Sequence, residues 1–407
     1  MQSKNYLEQR FTHLENTPIP ELPVRSFLKF YPTKKEKNLT LGYIATSEPV
    51  VGLTKDFQAG VESEFEVHPQ ILGEAVFEVK VLVEPAEKIG SLTTCENQDG
   101  DYKVKFTPKV PGTFNIIIKV NGKEFAGSPY IVQVKQRVFQ VVGEIEIKGE
   151  TVERPFGIAV NSKGQIAVVD NCIVITDKDG NCVRKVGCHG NNVGQLHSPA
   201  SITYLNDDNI LVADQLNHRI QQFNVRTGNP VKSFGKEGTK DGEFQNPVGV
   251  CVDKEGLVIV ADHFNNRIQV LSQDGEPLIQ FGNSGPEKLR KPRSCIYREN
   301  KFIVSDWGNN CLKVFDNTGK FLYKIGEKGE GDGQFRGPYG LCLQKCGNHH
   351  NLLVCNRANS RVDQFTVDGC FTGKTVVKLQ DPTIITTTPD GLILVTDYET
   401  KKIHILK

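Results

Sequence analysis

From residue 155 onward the chain repeats one arrangement of apolar and polar positions. The clearest copy opens on Pro247-Val248-Gly249-Val250, continues through Gly256-Leu257-Val258-Ile259-Val260-Ala261-Asp262, passes Asn265-Asn266-Arg267-Ile268-Gln269-Val270 and closes on Phe281-Gly282. Each run alternates apolar with other residues and is bounded by Gly, Asn or Asp, the pattern of a short strand with one buried face. One copy therefore predicts a four-stranded antiparallel meander.

Asp170, Asp214, Asp262, Asp306, Asn356 and Asp397 end the second run of successive copies, at intervals of 44, 48, 44, 50 and 41 residues. A unit of roughly 40 to 50 residues holding four strands is a propeller blade, so these positions predict six blades. An apolar period of two, with Gly inside every unit, excludes helical solenoid repeats. Gln140-Val141-Val142-Gly143 reads as the end of a blade that has no beginning, and residues 402–407 as a third strand with no fourth. Residues 137–143 are therefore expected to pair with 402–407 and close the ring. Blade one lacks the Asn-x-Arg step after Asp170, so its third strand starts early.

Residues 50–135 carry longer alternations, with Ala75, Phe77, Val79, Val81 and Val83 on one face, Tyr102, Val104 and Phe106 on another, and Phe114, Ile116, Ile118 and Val120 on a third. Turn signals at Asp99-Gly100, Pro111-Gly112 and Asn121-Gly122 separate them. This density of strands predicts an immunoglobulin-like sandwich, without the Cys, Trp, Cys trio of antibody domains. In residues 1–16, Leu7, Phe11 and Leu14 form a narrow stripe on a short helix, expected to be the tail of a coiled coil; 17–49 read as a linker. The expected fold class is all-β: a sandwich over 50–135 followed by a six-bladed β-propeller over 136–407.

The string from Asp99 to Gly112, followed by Gly127-Ser128-Pro129-Tyr130-Ile131-Val132-Gln133-Val134, resembles a filamin repeat. The recurring Pro-x-Gly, Asp-x-x-Asn-x-Arg and Phe-Gly elements resemble NHL repeats. A filamin-type domain directly before six NHL repeats resembles the carboxy-terminal half of TRIM-NHL proteins. That resemblance implies RNA recognition by the propeller, recruitment of proteins for ubiquitination, or both, with self-association through a longer coiled coil. The sequence holds no RING or B-box, so ligase activity is expected only where a longer form or a partner supplies a RING.

Composition narrows the chemistry. The 407 residues carry a net charge of +1, so no global field drives the chain onto nucleic acid or membrane, and any basic site is local. No apolar run approaches the ~18 residues of a membrane span, and the amino terminus is polar; a cytoplasmic protein without membrane contact is expected. Eleven cysteines is an odd number, and Cys251, Cys342 and Cys355 fall within strand patterns, so reduced core thiols are expected. Gly326 to Gly333 lacks the Gly-Lys-Ser/Thr ending of a phosphate loop, Cys342, Cys346, His349 and His350 lack a second pair at zinc-ligand spacing, and no Gly-x-Ser-x-Gly elbow exists. No catalytic residue, metal or cofactor is expected. Asp207-Asp208-Asn209 reads as a hairpin turn. Asp214 with Arg219 and Asp262 with Arg267 are expected to pair across a hairpin, a pair that Cys311 denies to blade four.

In such a meander the start of the first strand, the end of the second and the start of the third share one rim. That rim collects Arg154, Phe156, His263, Phe264, Lys288, Arg290, Lys291, Arg293, Trp307, Arg336, Tyr339, Arg357 and Tyr398, with His218 beside them. Basic groups hold phosphates and rings stack exposed bases, so the rim is a candidate site for single-stranded or stem-loop RNA. The competing reading is a protein-interaction scaffold, in which propeller loops or a filamin strand edge take partner proteins or ubiquitination substrates. The acidic loops from Glu237 to Glu243 and from Glu327 to Asp332 speak for the second.

Overall fold

The computed structural model describes residues 50–53, 56–69, 78–98, 100–125, 127–346, 349–375 and 378–407, and among them the only helices are single 3-10 turns. The fold is all-β. The helix expected in residues 1–16 lies outside the described residues. In the amino-terminal sandwich one sheet orders Val50–Val51, Ser63–Val67, Tyr102–Pro108 and Ile89–Glu96; the other orders Phe57–Gln58, Tyr130–Lys135, Gly112–Val120 and Val79–Glu84. The alternating residues Phe65, Val104, Phe106, Phe114, Ile116, Ile118, Val132 and Val134 meet between the two sheets as one buried cluster. A period-two pattern on each strand produces this directly, because every second side chain faces the opposite sheet.

Six blades follow, each a four-stranded antiparallel meander. Blade three is Pro247–Val252, Val258–Asp262, Arg267–Leu271 and Pro277–Phe281, in that spatial order, with Asp262 opposite Arg267. Blade one turns from Asp170 straight to Cys172, whose carbonyl accepts the Asp170 N–H at 2.9 Å, so its third strand does begin early. Along the innermost strands a Gly lets neighbouring blades touch: a Cβ at Gly249 would come within 2.4 Å of the Arg293 carbonyl oxygen, and one at Gly340 within 2.6 Å of that of Thr383. The residue between Pro and that Gly or its equivalent faces the axis. Phe156, Ala200, Val248 and Tyr339 join one apolar cluster, which continues into blades one, five and six.

Closure is more elaborate than expected. Val141–Glu144 supplies the outer strand of blade six, pairing antiparallel with Lys402–Leu406, and Gln140 exchanges two backbone hydrogen bonds with Lys407 at 3.1 Å. Arg137–Phe139, however, does not pair with residues 402–407. It runs parallel to Phe371–Thr375 as a fifth strand on blade five. The reason is packing: Phe139 is fully buried in the cluster that includes Cys355, Val362 and Leu406, which draws the strand toward blade five before it crosses to blade six. The guanidinium of Arg137 covers that ring at 4.6 Å and donates to Gln344 Oε1 at 3.3 Å.

The two units also meet through side chains. Asn351 Nδ2 donates to the buried Gly60 carbonyl at 2.8 Å, Gln136 Nε2 to Asp332 Oδ2 at 3.2 Å, and Lys109 lies 3.9 Å from Asp368. Replacing Phe139 by Ala should remove the wedge between blades five and six. The expected loss is about 3–5 kcal/mol, read as a fall of roughly 10 °C in the propeller melting transition; an unchanged transition would mean that the strand is not needed for closure.

Candidate functional site

In blades two, three, four and six the rim is held in place from beneath by a buried carboxylate at the end of the second strand. Asp262 is fully buried; its Oδ1 accepts the Gln245 N–H at 2.7 Å, and its Oδ2 accepts Asn265 Nδ2 and Arg267 Nε, each at 2.8 Å. The Arg267 guanidinium goes on to the carbonyls of Thr239, Lys240 and Glu243 at 2.7–2.9 Å. One acid thus ties the loop entering a blade to the turn between its second and third strands. Asp214 repeats this with Asn217, Arg219 and the His197 N–H.

Blade four makes the pair after all, which corrects the expectation drawn from Cys311. Lys313 stands two residues on, on the same face of the strand, and its buried ammonium lies 3.3 Å from Asp306 and 3.0 Å from the carbonyls of Glu287 and Lys288. In blade five the acid itself has moved: Asn356 ends the second strand, and the buried Asp363 receives Asn356 Nδ2 at 2.6 Å and Arg361 Nε at 2.7 Å. Burial raises the pKa of Asp262 and Asp306, and lifts that of Asp363 to about 6, against the pull of Arg361 and Asn356. Asp397 in blade six goes the other way: burial pushes up, but hydrogen bonds from His404 and from the Thr400, Gln380 and Asp381 N–H groups hold it well below the usual carboxylate range.

Above these clamps the blades are clasped to one another by residues in left-handed conformation. Asn266 ends the turn of blade three with φ 55°, and its Oδ1 accepts the N–H of Lys291 in blade four at 2.8 Å. Asn310 does the same for Gly337 at 2.9 Å, and His218 Nδ1 for Asn246 at 3.2 Å. The sequence reading missed these clasps; the Asn or His that follows each Asp-x-x-Asn turn residue was their only signal, and without φ it looks like ordinary loop polarity.

On this scaffold cations and rings alternate around the mouth of the propeller. The Lys291 ammonium lies 5.6 Å from the ring centre of Phe264 and 5.9 Å from that of Trp307. Arg293 covers Trp307 at 5.1 Å and Tyr339 at 4.9 Å, donating to the Tyr339 hydroxyl at 3.0 Å. Phe156 packs edge-on against Tyr339 and Tyr398, and Arg154 covers Tyr398 at 5.5 Å.

The thirteen residues singled out do not form one uniform surface. Lys288 and Arg290 are exposed, Lys291 and Arg293 half-buried, and none of the four has a carboxylate partner among the described residues. Arg336 is ion-paired with Glu330 and Arg357 with Asp381, so both are partly neutralised. Phe264 is 48% exposed and Trp307 half-buried. Tyr339 and His263 offer no open face: Tyr339 is buried beneath Arg293, Arg357 and Phe156, and His263 is buried with Nδ1–H donating to the Pro292 carbonyl at 3.2 Å. Burial, with Arg293 and Lys291 nearby, brings the His263 pKa down to about 4, so it is neutral at pH 7. Both residues belong to the floor of the site.

Comparison with known proteins agrees with this architecture. The Filamin/ABP280 repeat matches residues 46–131, the NHL repeat 196–223 and 244–271, and a 6-bladed beta-propeller family 289–401. The E3 ubiquitin-protein ligase TRIM45 of Bos taurus is 39% identical over 62 residues, which span 14% of this chain and only 11% of that protein. Among solved structures, a structural-genomics protein of unknown function from Bacteroides thetaiotaomicron reaches a TM-score of 0.52 at 14% identity, covering 88% of this chain and 97% of that one; this likeness is one of fold. Virginiamycin B lyase from Staphylococcus aureus gives 0.47 at 15% identity over 66% of this chain and 99% of its own, too slight to argue from. The chain therefore joins a filamin-type repeat to NHL repeats in a six-bladed propeller, the make-up of a protein-interaction scaffold.

The elevated Asp363 pKa carries a sign. An acid that holds its proton more tightly folded than unfolded stabilises the fold most below its unfolded pKa, 3.8, and that contribution is lost as pH rises to about 6. Comparing wild type with Asp363→Asn should show this component, on the order of 2–3 kcal/mol, in the wild type alone between those two pH values; melting curves with the same pH slope in both proteins would contradict it.

Proposed function

We propose that this chain is the RNA-binding and partner-recruiting half of a TRIM-NHL-like cytoplasmic protein, acting in post-transcriptional regulation or in ubiquitin-ligase targeting. Single-stranded or stem-loop RNA lies on the rim of blades three and four. The observation that carries this reading is the set of four cations, Lys288, Arg290, Lys291 and Arg293, without carboxylate partners among the described residues, beside the open ring of Phe264 in a chain of net charge +1. Unneutralised cations on a nearly neutral protein attract a polyanion locally, and adjacent rings give its bases a stacking surface. Arg154, Phe156, Trp307, Arg336, Arg357 and Tyr398 extend the surface around the mouth, Arg336 and Arg357 more weakly because Glu330 and Asp381 neutralise them. Self-association and a RING would come from segments or partners beyond the described residues.

A second reading rests on a different observation. The outer strands of blades one to four each expose an aliphatic side chain, Val183, Val231, Leu278 and Leu322, next to an edge that no further strand covers in the described residues. Such edges take partner peptides by strand addition. The two readings separate experimentally. Replacing exposed Lys288 and Arg290 by Gln should leave melting unchanged, weaken RNA binding several-fold, and reduce the slope of log affinity against log salt by about 1.4, since each phosphate contact on a single strand contributes ~0.7. An unaltered slope would move the assignment to the scaffold.

A further inference from the structure

Lys291 stands in a backbone conformation that suits it poorly. The residue before the first-strand Pro has positive φ in four successive blades: Ser198 at 52°, Asn246 at 54°, Lys291 at 53° and Gly337 at 62°. Gly and Asn tolerate this left-handed region and Ser is small; Lys291 is the one long side chain among the four. No ion pair compensates, because among the described residues no carboxylate reaches its ammonium. What the ammonium does touch is two rings, Phe264 and Trp307, at 5.6 and 5.9 Å, both near the ~6 Å limit of a cation–π contact and so weak. A side chain kept in a strained position for so little folding benefit points to function.

The rings themselves are firmly set. A Cβ on Gly337 would come within 2.9 Å of Trp307 Nε1, so the indole rests on that glycine, and the next residue, Gly308, donates its N–H to the Arg290 carbonyl at 2.8 Å. Trp307 and the segment carrying the cations are thereby parts of one frame. A ligand that displaces Lys291 must bring a flat face for the rings and negative charge for the freed ammonium and for Lys288, Arg290 and Arg293. A cationic peptide fails on the second requirement; a nucleotide meets both.

We infer that Lys291 is a displaceable plug: an unpaired nucleobase takes its place against Phe264 and Trp307, and the released ammonium moves onto the adjoining phosphate. This rests on the RNA reading above and adds to it where one base sits and what it replaces. Trp307 is the only tryptophan of the chain, so its emission reports on this slot alone. The whole chain is titrated with a labelled oligouridylate of about ten nucleotides and with an abasic oligomer of the same length, following anisotropy and Trp307 emission together. Expected are binding of both oligomers and quenching of Trp307 by the oligouridylate alone, at the concentrations where anisotropy rises. Lys291→Asn should melt higher, because Asn suits the left-handed backbone, yet bind roughly three- to tenfold more weakly with a shallower salt dependence. Binding without quenching, or a Lys291→Asn variant that melts lower and binds as well as wild type, would overturn the plug while leaving RNA binding intact. No anisotropy change with any oligomer would overturn the RNA reading itself, and the plug with it.

Discussion

A carboxylate buried toward the rim end of blades two to six is the interaction on which the functional face depends. A desolvated acid is tolerable only when surrounded by donors, and here its donors come at once from the loop entering the blade and from the hairpin between its second and third strands. Satisfying the charge therefore fixes the loops. Removing one partner from such a set leaves an uncompensated ion and costs about 3–5 kcal/mol, far more than any exposed contact on the rim is worth. The positive partner is interchangeable so long as it reaches the same pocket: Arg219 and Arg267 arrive from the first position of the third strand, Lys313 from the third. Blade five keeps its cation in place, Arg361 opening the third strand, and moves the acid, with Asp363 on the third strand and neutral Asn356 ending the second.

That interchange explains where the sequence was legible and where it was not. Strand period and the regular return of Asp or Asn revealed the blades, because both are local features. Pairing depends on which side chains share a face across a hairpin. Cys311 implies an absence in sequence because the compensating Lys313 sits outside the Asp-x-x-Asn-x-Arg frame; period-two geometry nonetheless points both into the same space. The path of Arg137–Phe139 was also hidden, since three residues carry too little pattern to select one edge over another, and the choice falls to the burial of Phe139. On the rim, topology brings Lys291, Arg293, Phe264 and Trp307 together. It could not show that Tyr339 lies beneath them or that His263 is neutral, because burial at the axis depends on all the blades at once.

The rim also shows how a nearly neutral chain can present a charged site. Most of its cations are matched: Arg219, Arg267, Lys313, Arg336, Arg357 and Arg361 each meet an acid. Matched charges project little field beyond their own neighbourhood, so the few left unmatched dominate the local potential. Aromatic faces are suitable neighbours for such groups. They stabilise a cation without neutralising it, and leave its charge available to a ligand.

The closing strand has a consequence for how the molecule is made. Val141–Glu144 pairs with Lys402–Leu406, so about 260 residues must be synthesised before the outer strand of blade six meets its partner. At ~5–20 residues per second this is a wait of roughly 13 to 50 s. Throughout that time the segment after the sandwich is an extended, valine-bearing edge with nothing to pair with, since its other contact, blade five, is also still to come. The sandwich can fold at once; the ring cannot. Residues 137–144 are thus the stretch of the nascent chain most exposed to mispairing, and the place where a chaperone or a neighbouring copy has longest to act.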